Sequence, residues 1–249
     1  MLQLTAGVQT GAEGTSGFYV RGGGQDQNLI LLDEATVYSP EHFFGFFSTF
    51  NADIIKNTQI YKSDFPSQYG GRLSSVLDVQ MREGNLKEFG GQGGIGLISS
   101  RFTVEGPIQK NRSSFILSGR RTYLDLFEPI INKQLPEDSQ MPDYFFYDLN
   151  AKMNYIINDK NRIYVSGYFG RDKLAFTFDP DAENSSTYDL QWGNMTGTLR
   201  WNRIINATLF SNTSFVVSRF KYNDRFNFGD FFEFKSASKT YTLSLKQDF

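Results

Sequence analysis

Apolar and polar residues alternate with period two through much of the second half of this chain. Tyr241, Leu243 and Leu245 alternate with Thr242, Ser244 and Lys246, and Ile163, Val165 and Phe169 share one face. Phe115 and Leu117 alternate less cleanly with Ser114, Ile116 and Ser118. Successive strand residues point to opposite sides, so this pattern predicts strands with two different faces. Eight are expected, near 88–97, 101–108, 113–123, 146–157, 162–172, 191–203, 208–222 and 236–248. The gaps at Gln109–Arg112, Asp159–Asn161 and Ile205–Ala207 are tight, whereas those at Leu124–Tyr144, Leu174–Asp189 and Asp224–Phe234 are long. A meander with short turns at one end and long loops at the other is what a membrane β-barrel needs.

Residues 1–85 read differently, as a compact glycine-rich α/β segment. Phe18–Arg21, the apolar run Asn28–Asp33, Asn57–Tyr61 and Ser75–Met81 are expected strands, and Tyr69-Gly70-Gly71-Arg72 an expected turn. Ser39-Pro40-Glu41 predicts a helix start, with a capping serine, proline in the first turn and an acid near the positive end. Asn51-Ala52-Asp53 predicts a second short helix. Leu124–Ile131 is a candidate short helix or apolar lid in the first long loop.

Composition sharpens the membrane expectation. Aromatics make up 16% of 249 residues, with Phe 25 and Tyr 13, which suits aromatic girdles at two interfaces. Only 39% is hydrophobic, and no run approaches the roughly 20 apolar residues of a spanning helix. A chain this polar crosses a bilayer only as a barrel, whose lumen-facing residues are free to be hydrophilic. The net charge of -2 gives no pointer to nucleic acid, and Cys 0 excludes a disulfide framework and thiolate metal sites. Met1–Gly7 has neither a basic region nor a long apolar run, so no export signal is expected there.

Three motifs occur in order: Gly17-Phe18-Tyr19-Val20-Arg21-Gly22-Gly23-Gly24, then Asn28–Asp33, then Phe65-Pro66-Ser67-Gln68-Tyr69-Gly70-Gly71-Arg72-Leu73 through Val79. Together they resemble the plug domain of TonB-dependent outer-membrane receptors, closest in wording to those of Bacteroidetes-type bacteria. One departure is Asp33-Glu34-Ala35, where many members have Asp-Gly. The resemblance implies a mainly β fold. Residues 1–85 would be the plug, N-terminally incomplete, and residues 86–249 the first part of a barrel of 22 strands. It implies import of a nutrient (siderophore, vitamin, glycan or peptide) into the periplasm. TonB would engage a box upstream of this chain, outer-membrane lipid would surround the barrel, and a surface lipoprotein is a further partner in the glycan-importing branch. It also implies plug–barrel contacts for Arg21 and Arg72. Eight strands alone close into a barrel filled by its own side chains, with no room for a plug, so the chain is expected to be part of a longer protein. The ending Tyr-x-Leu-x-Leu-x-Gln-x-Phe249 pulls the other way, since it resembles the last strand of complete barrels.

The candidate binding residues lie in one aromatic segment, Tyr38, Ser39, His42, Phe43, Phe44, Phe46 and Phe47. Its rings either pack as plug core or form an apical platform that stacks on substrate. His42, the only histidine, has no partner at a recognisable catalytic or metal-binding spacing. Asp172, Asp179, Asp181, Glu183, Asp224 and Asp230 read as solvated loop acids rather than a calcium site, because no such ligand spacing is present. Gly91-Gln92-Gly93-Gly94-Ile95-Gly96 matches a dinucleotide fingerprint literally but lacks the following helix. No catalytic residue, cofactor or metal site is expected. Two other function classes remain open: a small passive barrel, and a plug-like periplasmic binding or signalling module without transport.

Overall fold

The computed structural model describes residues 7–10, 17–62, 64–136, 140–178, 185–229 and 231–249. In the N-terminal unit the strands are β1 (Val8–Thr10), β2 (Phe18–Val20), β3 (Asn28–Leu32), β4 (Ala35–Thr36), β5 (Glu41–His42), β6 (Phe47–Ser48), β7 (Ile55–Tyr61) and β8 (Ser75–Met81). The second unit runs β9 (Gly90–Ile95), β10 (Ser99–Gln109), β11 (Ser113–Thr122), helix α1 (Leu124–Asn132), β12 (Asp143–Asn158), β13 (Asn161–Phe178), β14 (Ser186–Ile204), β15 (Phe210–Phe228) and β16 (Phe232–Asp248).

The N-terminal unit is built on a four-stranded sheet of order β4-β3-β8-β7, in which β3 and β8 are parallel. The apolar run of β3 makes it a central strand, and β8 beside it is buried along nearly its whole length. Val20, Ile30, Leu32, Val37, Ile54, Leu77, Val79 and Met81 form one core, which continues into Ile116 and Tyr168 of the second unit. Asn51 caps the short 3-10 turn Ala52–Ile54 by accepting the Asp53 N–H at 3.1 Å, as its sequence predicts.

The second unit is a single sheet of eight strands in chain order, each antiparallel to the next. All eight expected strands are present, and β13 to β15 run 18 and 19 residues, well past the expected ends. The extension changes the loops. The third long gap, expected over Asp224–Phe234, shrinks to the residues between Phe228 and Phe232, because Phe226↔Phe234 and Phe228↔Phe232 carry the ladder upward. The turns at the opposite end stay short.

The sheet has two unlike faces. Tyr144, Phe146, Asp148, Asn150, Lys152 and Asn154 of β12 are buried beneath the N-terminal unit. Their outward neighbours Leu149 and Met153 are 46% and 40% exposed. Row by row the outward face reads Leu117, Ala151, Gly167, Gly197, Val217 and Leu243, then Phe115, Met153, Val165, Leu199, Phe215 and Leu245. Below lie Tyr155, Ile163 and Trp201. The chain passes from one unit to the other at Gly84, where a Cβ would strike the Phe115 carbonyl, so only glycine allows this approach. The literal G-x-G-x-x-G lies on the exposed edge strand β9 and its turn, with β10 following rather than a helix.

Ser39-Pro40-Glu41 does not begin a helix. Glu41 and His42 form β5, paired with β6, and a 3-10 turn follows over Phe43–Gly45. Capping propensity is outweighed by contacts with the sheet: Asn194 accepts the Tyr38 N–H at 3.0 Å and donates to the Ser39 carbonyl at 2.8 Å.

Candidate functional site

Residues 33–47 climb the inner face of the sheet, from Asp33 beside Lys152 to Phe44 beside Trp192. At the bottom, the Lys152 ammonium lies 2.9 Å from the Asp33 carboxylate and donates to the Met81 carbonyl at 2.7 Å. Both side chains are almost fully buried, and an unpaired charge there would be strongly destabilising. Thr198 Oγ1 donates to the Asp33 carbonyl at 2.7 Å. Asp33 and Glu34 both take left-handed φ, 45° and 74°, in the tight β3–β4 turn where glycine would be unstrained. Glu34 there meets Arg200 at 3.3 Å. Near the exit from the N-terminal unit, Arg82 grips both oxygens of Glu105 at 2.8 Å.

The top of the climb centres on His42. Its Nδ1 lies 2.6 Å from Asp172 Oδ2, and its Nε2 lies 2.8 Å from Asp148 Oδ1. Ionised carboxylates only accept hydrogen bonds, so both ring nitrogens carry protons and the imidazole is a cation. Burial opposes that charge, but the Asp148 and Asp172 carboxylates prevail and raise the His42 pKa to about 9. Phe146 stacks on the imidazole at 4.0 Å and 3°. Arg120 Nε donates to Asp148 at 2.9 Å, and its second nitrogen bonds both that carboxylate and the Ser48 carbonyl. Tyr144 and Tyr168 hydroxyls donate to Asp172 and Asp148 at 2.6 Å and 2.8 Å. Two cations and two anions thus balance in a buried cluster joining β5 to β11, β12 and β13.

Above it the chain makes a sharp knuckle. Phe43 and Phe44 have φ of 48° and 52°, a region that bulky residues rarely adopt. Asp172 supports it by accepting the Phe43 N–H at 3.4 Å. Phe43 packs on Tyr144 at 4.3 Å and Phe47 on Phe146 at 5.4 Å. Phe44 and Phe46 instead remain 62% and 60% exposed, with Trp192 5.6 Å from Phe44.

Residues 1–76 match the family model described as TonB-dependent Receptor Plug Domain. This segment is a TonB-dependent receptor plug domain. Among solved structures, the chain is similar to the siderophore receptor PirA from Acinetobacter baumannii, with 14% identity, 97% of this chain and 55% of that chain covered, and a TM-score of 0.47. It is also similar to a mutant of the ferric enterobactin receptor PfeA from Pseudomonas aeruginosa, with 11% identity, 99% and 56% covered, and a TM-score of 0.48. The chain spans about half the length of these solved chains. A search of curated proteins gives no match.

The aromatic segment of the plug divides between the two uses open to it. Tyr38 bonds Thr242 and lies 6.3 Å from Phe220, so with Ser39, His42, Phe43 and Phe47 it faces the sheet. Phe44 and Phe46 are the rings left bare. Arg21 and Arg72 are not brought to an acidic residue of the sheet: both are exposed, and Arg72 bonds the Gly71 carbonyl at 3.0 Å. Both sit in turns of the plug, while pairing with the sheet falls to Asp33 and His42, which are buried, and to Glu34 and Arg82, which are half-buried.

His42 has partners after all, 106 and 130 residues away, which no local spacing could display. Asp172 and Asp224 lie in β13 and β15 rather than in loops, and Asp172 is buried. Asp179, Asp181, Glu183 and Asp230 fall outside the described residues. Among the described residues no cluster of three acidic or histidine side chains could hold a metal ion.

Proposed function

We propose that the chain is the plug (residues 1–85) and the first eight strands (residues 86–249) of a TonB-dependent outer-membrane receptor that imports a nutrient into the periplasm. The observation that carries this reading is the pair of sheet faces. The inner face is polar and engaged by buried charges of the plug, whereas the outer face bears rows of bare apolar side chains. That is the reverse of a water-soluble sandwich and suits a wall between lipid and a filled lumen. Both edges of the sheet, β9 and β16, lack a neighbouring strand among the described residues, and an open edge is untenable in lipid. The reading therefore includes further strands that complete a barrel of 22.

In this reading Phe44 and Phe46, with Trp192, form the substrate platform at the plug apex. Tyr38, Ser39, His42, Phe43 and Phe47 hold the platform against the wall. Stacking on a nutrient solute displaces water from the bare rings. TonB, acting through a segment upstream of residue 1, draws on the plug to open a path.

The chain has Cys 0, so single cysteines report its orientation. In the intact receptor, Phe44→Cys and Asn111→Cys are treated on whole cells with a membrane-impermeant maleimide. Labelling of position 44 alone is expected. Labelling of position 111 alone would reverse the orientation and defeat the proposal.

A further inference from the structure

Above the apolar band the outward face turns basic. One row across five strand pairs reads Arg121, Tyr147, Arg171, Gly193, Lys221 and Lys239. Arg219 lies one outward position below Lys221, opposite Tyr241. Three other cations on this face have acidic partners: Arg121 has Asp125 at 2.6 Å, Lys173 has Asp143 at 3.1 Å and Lys235 has Glu233 at 2.6 Å. Among the described residues Arg171, Arg219, Lys221 and Lys239 pair with no carboxylate, and the one side-chain bond Arg171 makes is to Gln191.

Lys221 and Lys239 stand directly opposite each other on β15 and β16. Like charges facing across a ladder, with strands about 4.8 Å apart, repel unless an anion lies between them. A hollow lies on the other side of Lys221, between it and Arg171, with Lys239 next to but not lining it. Gly193 leaves a gap in the row, because a Cβ there would run into the Gly170 carbonyl. The resulting depression of about 140 Å³ is lined by Phe169, Arg171, Gln191, Arg219, Lys221 and Asn223. Three cations and two amides around one hollow match the donor demands of a phosphate group.

Height selects the source of that phosphate. Arg171 is eight residues beyond Ile163 on β13, which lies in the row of Tyr155 and Trp201. That is about 26 Å along the strand, or about 20 Å along the membrane normal at a tilt of about 40°. The row therefore sits about 5 Å short of the upper end of an apolar band of about 25 Å, from where long Arg and Lys side chains snorkel to headgroups. We propose that Arg171, Arg219, Lys221 and Lys239 form a binding site for the phosphate headgroup of an anionic lipid in the leaflet on the long-loop side. The proposal rests on the outer-membrane reading above.

The test uses the intact receptor in detergent, titrated with dioleoyl phosphatidic acid, dioleoyl phosphatidylcholine or inorganic phosphate and read by native mass spectrometry. The expected result is at least tenfold tighter retention of phosphatidic acid than of phosphatidylcholine. Lys221→Gln with Lys239→Gln should abolish that preference, while Lys235→Gln, which removes a paired cation, should leave it. Equal retention of the two lipids, or a preference that survives the double substitution, overturns the site. Inorganic phosphate binding without lipid preference overturns the lipid assignment. Carbonate extraction of source membranes separates the two claims. Protein released by carbonate defeats the outer-membrane reading itself, whereas retained protein without lipid preference defeats only the headgroup site.

Discussion

On the inner face of the sheet Asp148, Lys152 and Asp172 are buried, and each meets an opposite charge from the plug. On the outer face Leu199, Phe215, Leu243 and Leu245 are exposed and meet only one another and their apolar neighbours in the sheet. The same strands supply both sets at alternate positions, so one backbone carries paired charges on one side and, in the proposed reading, faces hydrocarbon on the other. Stability on the two faces has different origins. Inside, it depends on complete charge pairing, because a lone buried charge costs far more than a pair contributes. Outside, it depends on the absence of charge over a fixed height.

The largest effect should come from Asp148→Ala. It takes the carboxylate from Arg120 and one of the two from His42, which keeps Asp172, so two cations face one anion; breaking such a buried pair costs about 3–5 kcal/mol. Early protease cleavage of the plug, with the barrel still resistant to heat in detergent, would report it. Next, Val217→Arg, two outward rows above Ile163, places a charge near the middle of the apolar band and should weaken folding into bilayers by about 2–4 kcal/mol in urea titrations. Thr187→Arg, outward but high on β14, should cost only about 0–1 kcal/mol. Equal costs at the two positions would mean that the band does not contact lipid.

The inner face should also respond to pH. The folded His42 pKa of about 9 lies above its ordinary 6.5, so the stabilisation is complete below 6.5 and is lost as pH rises through about 9. Plug release measured between pH 7 and 10 should increase, and His42→Gln should flatten the profile. The smallest effects are expected at Arg21→Ala and Arg72→Ala, each within about 0.5 kcal/mol, because both are exposed and neither pairs with an acid among the described residues. A large loss of plug retention at either would return them to a plug–barrel role.

The barrel-like sheet was readable because period two survives wherever one face differs from the other, as at Tyr241, Leu243 and Leu245. Strand ends were less readable. Phe226, Phe228, Phe232 and Phe234 pair beyond the band, where sequence offers turn-like Asn, Gly and Asp and the ladder prevails. The aromatic segment 38–47 stood out as a cluster, but its pinning did not. Asp172 read as a loop acid, and nothing local shows that it and Asp148 meet His42, 130 and 106 residues away. The helix expected from Ser39-Pro40-Glu41 failed for the same reason, since Asn194 is 155 residues away from Ser39.

Apart from Glu34, which turns back to Arg200, the contacts of residues 33–44 follow one order in sequence and in space. Along β14, Glu34 meets Arg200, Asp33 meets Thr198, Tyr38 and Ser39 meet Asn194, and Phe44 nears Trp192. Tension entering from the N-terminal side of such a segment peels it, loading one attachment after another instead of shearing all of them together. The peak force is then set by the strongest single attachment, while the total work remains the sum over all of them. A firmly seated plug segment is thus removable by a modest pull sustained over a long stroke.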